Sequence, residues 1–249
     1  MAIVLAACLV LTLAGCFGGK DDAAASEVAD WIAEQDGVTS ATGEALSEYD
    51  TILSLDVGIE PEISDDDLVD LAHLIDDHAA HAGWSQYQIG YHLAEDRAFA
   101  SLGGDATLQV FLAIRHLSYT QAFARGGGEG SKGFFYISQP TSDGLENELQ
   151  GLVDIAHDVG GIQSNLEFTA ASDDGLFTVS GTYDEAPTAA AAEWRSLAET
   201  HRFDKVWALA IETGAQILNV WVPDAETQAA VQAEAALQNE VDVRVYLTE

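Results

Sequence analysis

Apolar positions along this chain recur with two different periods, and the change of period marks out the elements. Leu68, Leu71, Ala72, Ile75, Ala79 and Ala82 return at steps of three and four, the stripe of an amphipathic helix. Ser64-Asp65-Asp66-Asp67 caps its start and Gly83 stops it. A shorter helix is expected from Ser26 as N-cap, through Val28, Trp31 and Ile32, to Gly37. Val38 to Leu46 and Thr51 to Ile59 read as strands, the second alternating through Ile52, Leu55, Val57 and Ile59. Tyr87 to Leu93 and Arg97 to Leu102 form a hairpin-like pair. A helix to about Leu117 follows, then strands at Tyr119 to Ala124 and Phe134 to Ser138.

The same order returns in the second half. Leu145 to Val159 predicts a helix. Asn165 to Ala171 and Leu176 to Tyr183 predict strands, joined by the turn Ser172-Asp173-Asp174-Gly175. Pro187-Thr188 opens a helix to about His201. Lys205 to Glu212 and Gln216 to Val222 form a hairpin, Pro223-Asp224 caps a helix to Asn239, and Val241 to Leu247 closes the chain as a strand. The fold expected is therefore α+β, with two similar halves, each an antiparallel sheet with helices packed on one face. The boundaries are a signal segment at 1–15, a tether at 16–25, and repeats at 26–139 and 140–249.

Charge then narrows the partners. Asp and Glu number 42 against nine Lys and Arg, a net charge of -33 that repels nucleic acid and anionic headgroups. This acidity reads more readily as a compositional habit than as a dedicated function. Hydrophobic residues make up 48% of the chain, enough for a packed core.

Residues Ala2 to Leu13 are apolar except for Thr12, too short a run to span a bilayer but suited to a signal segment. They lead into Leu13-Ala14-Gly15-Cys16, which resembles the lipobox of bacterial lipoproteins. No Lys or Arg precedes the run, a departure from the usual signal. The resemblance implies lipidation at Cys16, cleavage before it, and an extracytoplasmic protein anchored to a bacterial membrane. Cys8 would leave with the signal, so no internal disulfide is expected. Further on, Asp174-Gly175-Leu176-Phe177-Thr178-Val179-Ser180-Gly181-Thr182 is similar to the central motif of BON-type envelope domains, over about thirty residues of the second half. That resemblance implies a small α/β module that binds phospholipid or another envelope surface.

Candidate chemistry is sparse. His73, Asp77 and His81, at successive steps of four, could present two imidazoles and a carboxylate to a divalent cation, with Asp66 and Asp70 on the same face. The competing reading, and the favoured one, is the solvated side of an acidic helix. Ser180 lacks a Gly-x-Ser-x-Gly elbow, and His201 near Asp204 reads as a helix-end charge. The loop Gly126 to Gly133 lacks phosphate-loop spacing. Trp31, Trp84, Trp194, Trp207 and Trp221 are expected in the core, with an aromatic ligand platform as the alternative, and Trp207 and Trp221 are able to pair across a hairpin. Arg97, Arg115, Arg125, Arg195 and Arg202 are expected to pair with carboxylates.

The sequence thus points to a non-catalytic binding or scaffold module of the envelope. No catalytic residues and no cofactor are assigned. The membrane is a partner through the lipid, and an envelope protein, glycan or lipid is the expected ligand. The alternatives are cation binding through the His-bearing helix and an enzyme with a site between the halves.

Overall fold

The computed structural model describes residues 22–47, 51–84, 86–94, 96–101, 106–117, 119–125, 133–142, 145, 151, 153–155, 167–182, 185–211, 214–237 and 240–248. The expected signal segment and Cys16 lie outside these residues, as do most of the glycine-rich loop and most of the expected helix 145–159.

Helices α1 (Asp22–Ala33), α2 (Asp65–His81), α3 (Ala106–Ile114), α4 (Thr188–Ala198) and α5 (Ala225–Ala235) cover one sheet. Its strands are β1 (Val38–Ser47), β2 (Thr51–Ile59), β3 (Gln86–Ala94), β4 (Arg97–Ser101), β5 (Gln121–Arg125), β6 (Phe134–Gln139), β7 (Glu167–Ser172), β8 (Phe177–Thr182), β9 (Lys205–Ala210), β10 (Gln216–Val222) and β11 (Asp242–Leu247). Residues 145, 151 and 153–155, between β6 and β7, are also helical.

The two-halves expectation is corrected here. Among the described residues, all eleven strands form one sheet in chain order, and β6 pairs with β7 across the midpoint. The sheet is mixed, not antiparallel. Each hairpin pairs antiparallel, as in β3–β4 and β9–β10, and each helical crossover returns the chain parallel to the strand it left, as in β2–β3 and β8–β9. A helix plus a hairpin is the unit that recurs, and adjoining units share a continuous ladder. The α+β class stands.

Local chemistry explains the elements. Ser64 Oγ accepts the Asp67 amide at 3.1 Å and opens α2. Helix α1 is already formed at Asp22, the first described residue, four residues before the expected cap, in keeping with Ala23 to Ala25 as strong helix formers. Ser26 therefore lies inside the helix, its hydroxyl bonded to the Asp22 carbonyl. The β7–β8 turn holds Gly175 at φ 72°, where a side chain would be strained.

One face of the sheet is the core. Leu55, Tyr91, Phe99, Ala124, Phe135, Phe168, Val179, Ala208 and Val220 are all buried, and the ladder pairs put them on the same side. The helices lie on that side. Tyr91 hydroxyl reaches the Ala72 carbonyl of α2, the Phe99 ring meets Phe111 of α3 at 4.9 Å, and Phe177 stacks on Trp194 of α4 at 4.1 Å. Strands β2 and β4 point in opposite directions, yet their crossovers step the same way and cover the same face. The α2 and α3 crossovers are consequently of opposite hand, so the usual right-handed preference is met by only one of them. A single hydrophobic cluster runs through the described residues from Ala25 to Val245.

The two outer strands carry side-chain plugs. On β1, the Ala45 amide donates to Asp22 Oδ1 at 2.9 Å; on β11, the Val245 carbonyl accepts from Gln228 Nε2 at 3.0 Å. Both occupy groups through which another strand would pair.

Candidate functional site

The opposite face of the sheet carries none of the described helices. Ten strand spacings make it roughly 50 Å wide. Its ladder rows can be followed from strand to strand. One runs His92, Ala98, Phe123, Tyr136, Thr169, Ser180, Leu209, Ile217 and Asp242, from β3 to β11.

Its charge departs from that of the chain. The described strands place the carboxylates Glu44, Asp56, Glu167 and Asp242 on this face, and the cations Arg125, Lys205 and Arg244. The face is therefore close to neutral in a chain of net charge -33, and the excess acid lies on helices and connections.

A groove of about 540 Å³ crosses this face over β6 to β9. Its floor is short and hydroxylated: Thr169 on β7, and Ser180 and Thr182 on β8. Its walls are tall and apolar, with Phe134 of β6 on one side and Trp207, Leu209 and Ile211 on the other. Glu167 is the one ionisable side chain that lines it among the described residues. Behind the floor, Gly181 lets the Phe168 ring pass. A Cβ there would collide with Phe168 Cζ.

The Trp207 ring is held in place. Its Nε1–H donates to Ser180 Oγ at 3.1 Å, and Ser180 and Thr169 share a hydroxyl hydrogen bond of 3.0 Å. With its only polar group bonded, the 37% of Trp207 that remains exposed presents ring surface. Farther along the face, Trp221 stacks on Tyr246 at 5.2 Å, with Lys205 Nζ 5.1 Å above its ring. Trp207 and Trp221 are diagonal neighbours, opposite Asn219 and Lys205 respectively. Neither belongs to the core, which corrects that expectation. Trp84 and Trp194 are buried, and Trp31 stacks on His78 at 3.6 Å between α1 and α2.

The metal candidates remain on the outer side of α2. His73, Asp77 and His81 are exposed, and His81 Nδ1 donates to the Asp77 carbonyl at 2.6 Å. No group of three His, Cys, Asp or Glu converges among the described residues. His78 is packed instead, and its basicity is lowered by burial and by His81. His201 turns away from Asp204 and bonds Glu234 of α5 at 2.9 Å, while Asp204 accepts from Thr248.

Two of the arginines serve as structural clamps. Arg115 is buried, with Nε 3.0 Å from Asp65 Oδ1 and Nη2 on the Ile63 carbonyl, so it ties α3 to the start of α2. Arg97 pairs with Asp96 and also gathers the carbonyls of Arg115, Tyr119 and Thr120.

No known protein family matches the chain, and no curated protein does either. Among the described residues, no helix is long and apolar enough to cross a membrane.

The groove was not singled out by sequence reasoning, though a signal existed. In β9 and the residue that follows it, Val206, Ala208 and Ala210 alternate with Trp207, Leu209 and Ile211, so the strand is apolar on both sides. Such a strand either is covered on both faces or offers one of them to a ligand.

Proposed function

We propose that this protein is a non-catalytic binding module of a bacterial envelope, and that the open sheet face over β6 to β9 is its recognition surface. One observation carries the reading: a near-neutral, aromatic-walled groove in a strongly acidic chain. Interface centres are depleted of charge and enriched in Trp, Tyr and Phe, and the groove has both properties, with Glu167 its one ionisable lining side chain among the described residues. The flat, laddered backbone beneath it also suits a preformed site. Cys16, through its lipobox-like surroundings, supplies the lipid tether that keeps the module at the membrane.

Two experiments test this. Mass spectrometry of the membrane fraction should find a chain beginning at a diacylated Cys16. Detergent-solubilised full-length protein should bind at least one envelope fraction: wall glycan, phospholipid vesicles or envelope proteins. Leu209→Asp, which places a charge in the groove wall, should abolish that binding without unfolding the protein. Binding equal to wild type in a folded Leu209→Asp variant would refute the assignment of the face.

A further inference from the structure

The groove's chemistry narrows its ligand, on the reading that the open face binds. We infer that the groove takes a neutral saccharide, stacked on Trp207 and hydrogen-bonded through its hydroxyls to Thr169, Ser180 and Glu167. Three features meet there. The Trp207 indole is fixed by its bond to Ser180, so an exposed ring face is ready for the C–H face of a pyranose at little ordering cost. The floor is hydroxylated, and after the Trp207–Ser180 and Ser180–Thr169 bonds the Ser180–Thr169 pair still offers one O–H donor and two lone pairs, which matches a ligand whose own groups are hydroxyls. Three strand spacings separate the Phe134 wall from the Trp207 wall, about 14 Å, so a chain of sugars fits better than an isolated small solute.

Other ligand classes fit less well. An anion would meet the field of a chain at -33 with no cation lining the groove. An acyl chain would strip water from the floor hydroxyls and return no hydrogen bonds. A peptide strand binds sheets through free edge amides, whereas β6 to β9 are interior strands with neighbours on both sides. A cation would find one carboxylate, which is too few oxygen ligands. Sugar hydroxyls complement the floor, and the apolar sugar face complements the walls. Neutrality spares the ligand any interaction with the surrounding acid.

The test is calorimetric titration of the full-length protein in detergent with neutral oligosaccharides. Chito-oligosaccharides stand for wall-type glycan, and gluco-oligosaccharides for secreted polysaccharide. Expected is saturable binding of one class, weakened at least tenfold by Trp207→Ala and by Ser180→Ala, which frees the indole. A neutral ligand should also bind with nearly the same Kd at low and high salt. Unchanged Tm in both variants keeps a loss of binding attributable to the groove. Absence of binding by either class at millimolar concentration overturns the inference, as does binding indifferent to Trp207→Ala. If the sugars fail while envelope proteins or vesicles still bind in a Leu209-dependent manner, the saccharide falls and the binding face stands. If no fraction binds, both fall.

Discussion

Glu193 offers a sharp test of how the helix layer is held. It lies on α4 with only 9% of its surface exposed, and its Oε1 has no hydrogen-bond partner among the described residues. Burial raises its pKa, and the neighbouring Glu234 raises it further. Replacing it with Met keeps length and flexibility while removing a buried acceptor. Relieving one unsatisfied buried polar group is worth about 1–3 kcal/mol, so Glu193→Met should be more stable by that order at neutral pH.

The pH dependence has a definite sign. With the folded pKa raised above the unfolded value, the unfolded chain releases its proton first as pH rises, and wild-type stability falls across that interval. Below the unfolded carboxylate range both states are protonated, and this part of the penalty disappears. The advantage of Glu193→Met should thus be smallest in acid, grow through the carboxylate range, and level off above the raised pKa. Urea unfolding of both proteins at a series of pH values reads the difference directly, with the titrations of other groups cancelling. A difference that is flat with pH would refute the electrostatic account. A Met variant less stable than wild type at pH 7 would refute the packing account as well.

Other perturbations probe separate links. Phe177→Ala removes a fully buried ring stacked on Trp194 and should cost about 3–5 kcal/mol by denaturant unfolding; a loss below 1 kcal/mol would mean that α4 is not packed as described. Ser64→Ala deletes the α2 cap and should cost about 1 kcal/mol, with faster amide exchange in the first turn of α2. Gln228→Ala exposes the Val245 carbonyl on the outer strand, and light scattering should then show slow self-association that wild type resists. A variant that stays monodisperse would show that the plug is idle.

Much of the element order was legible because it rests on local chemistry. The α2 stripe, its Ser64 cap, and the β7–β8 turn through Asp174 and Gly175 are fixed by residues within a few positions of one another. What could not be read is how strands add up. Nothing local in Gln139 or Glu167 states that β6 and β7 pair, and that pairing joins the supposed halves into one sheet. The groove was hidden for a related reason. Trp207 and Ser180 are 27 residues apart, and they meet only because the α4 crossover lays β9 beside β8. Trp207 and Trp221 looked like core because large apolar residues usually are. The ladder register assigns them to the other side, since a shift of one position exchanges the two faces.

The order of strands in space follows their order in the chain, with consequences for growth. Each helix–hairpin unit rests on those before and after it, as in repeat proteins whose stability is summed from neighbour to neighbour. The hairpins close through short turns, but each parallel pairing waits on a helical crossover, as between β6 and β7, so the pairings that join the units are non-local and slow to form. Duplicating two consecutive units, which restores the strand direction, would lengthen the exposed platform by four strand spacings, about 19 Å, while leaving existing contacts in register. This architecture can therefore adjust the reach of its binding surface in discrete steps.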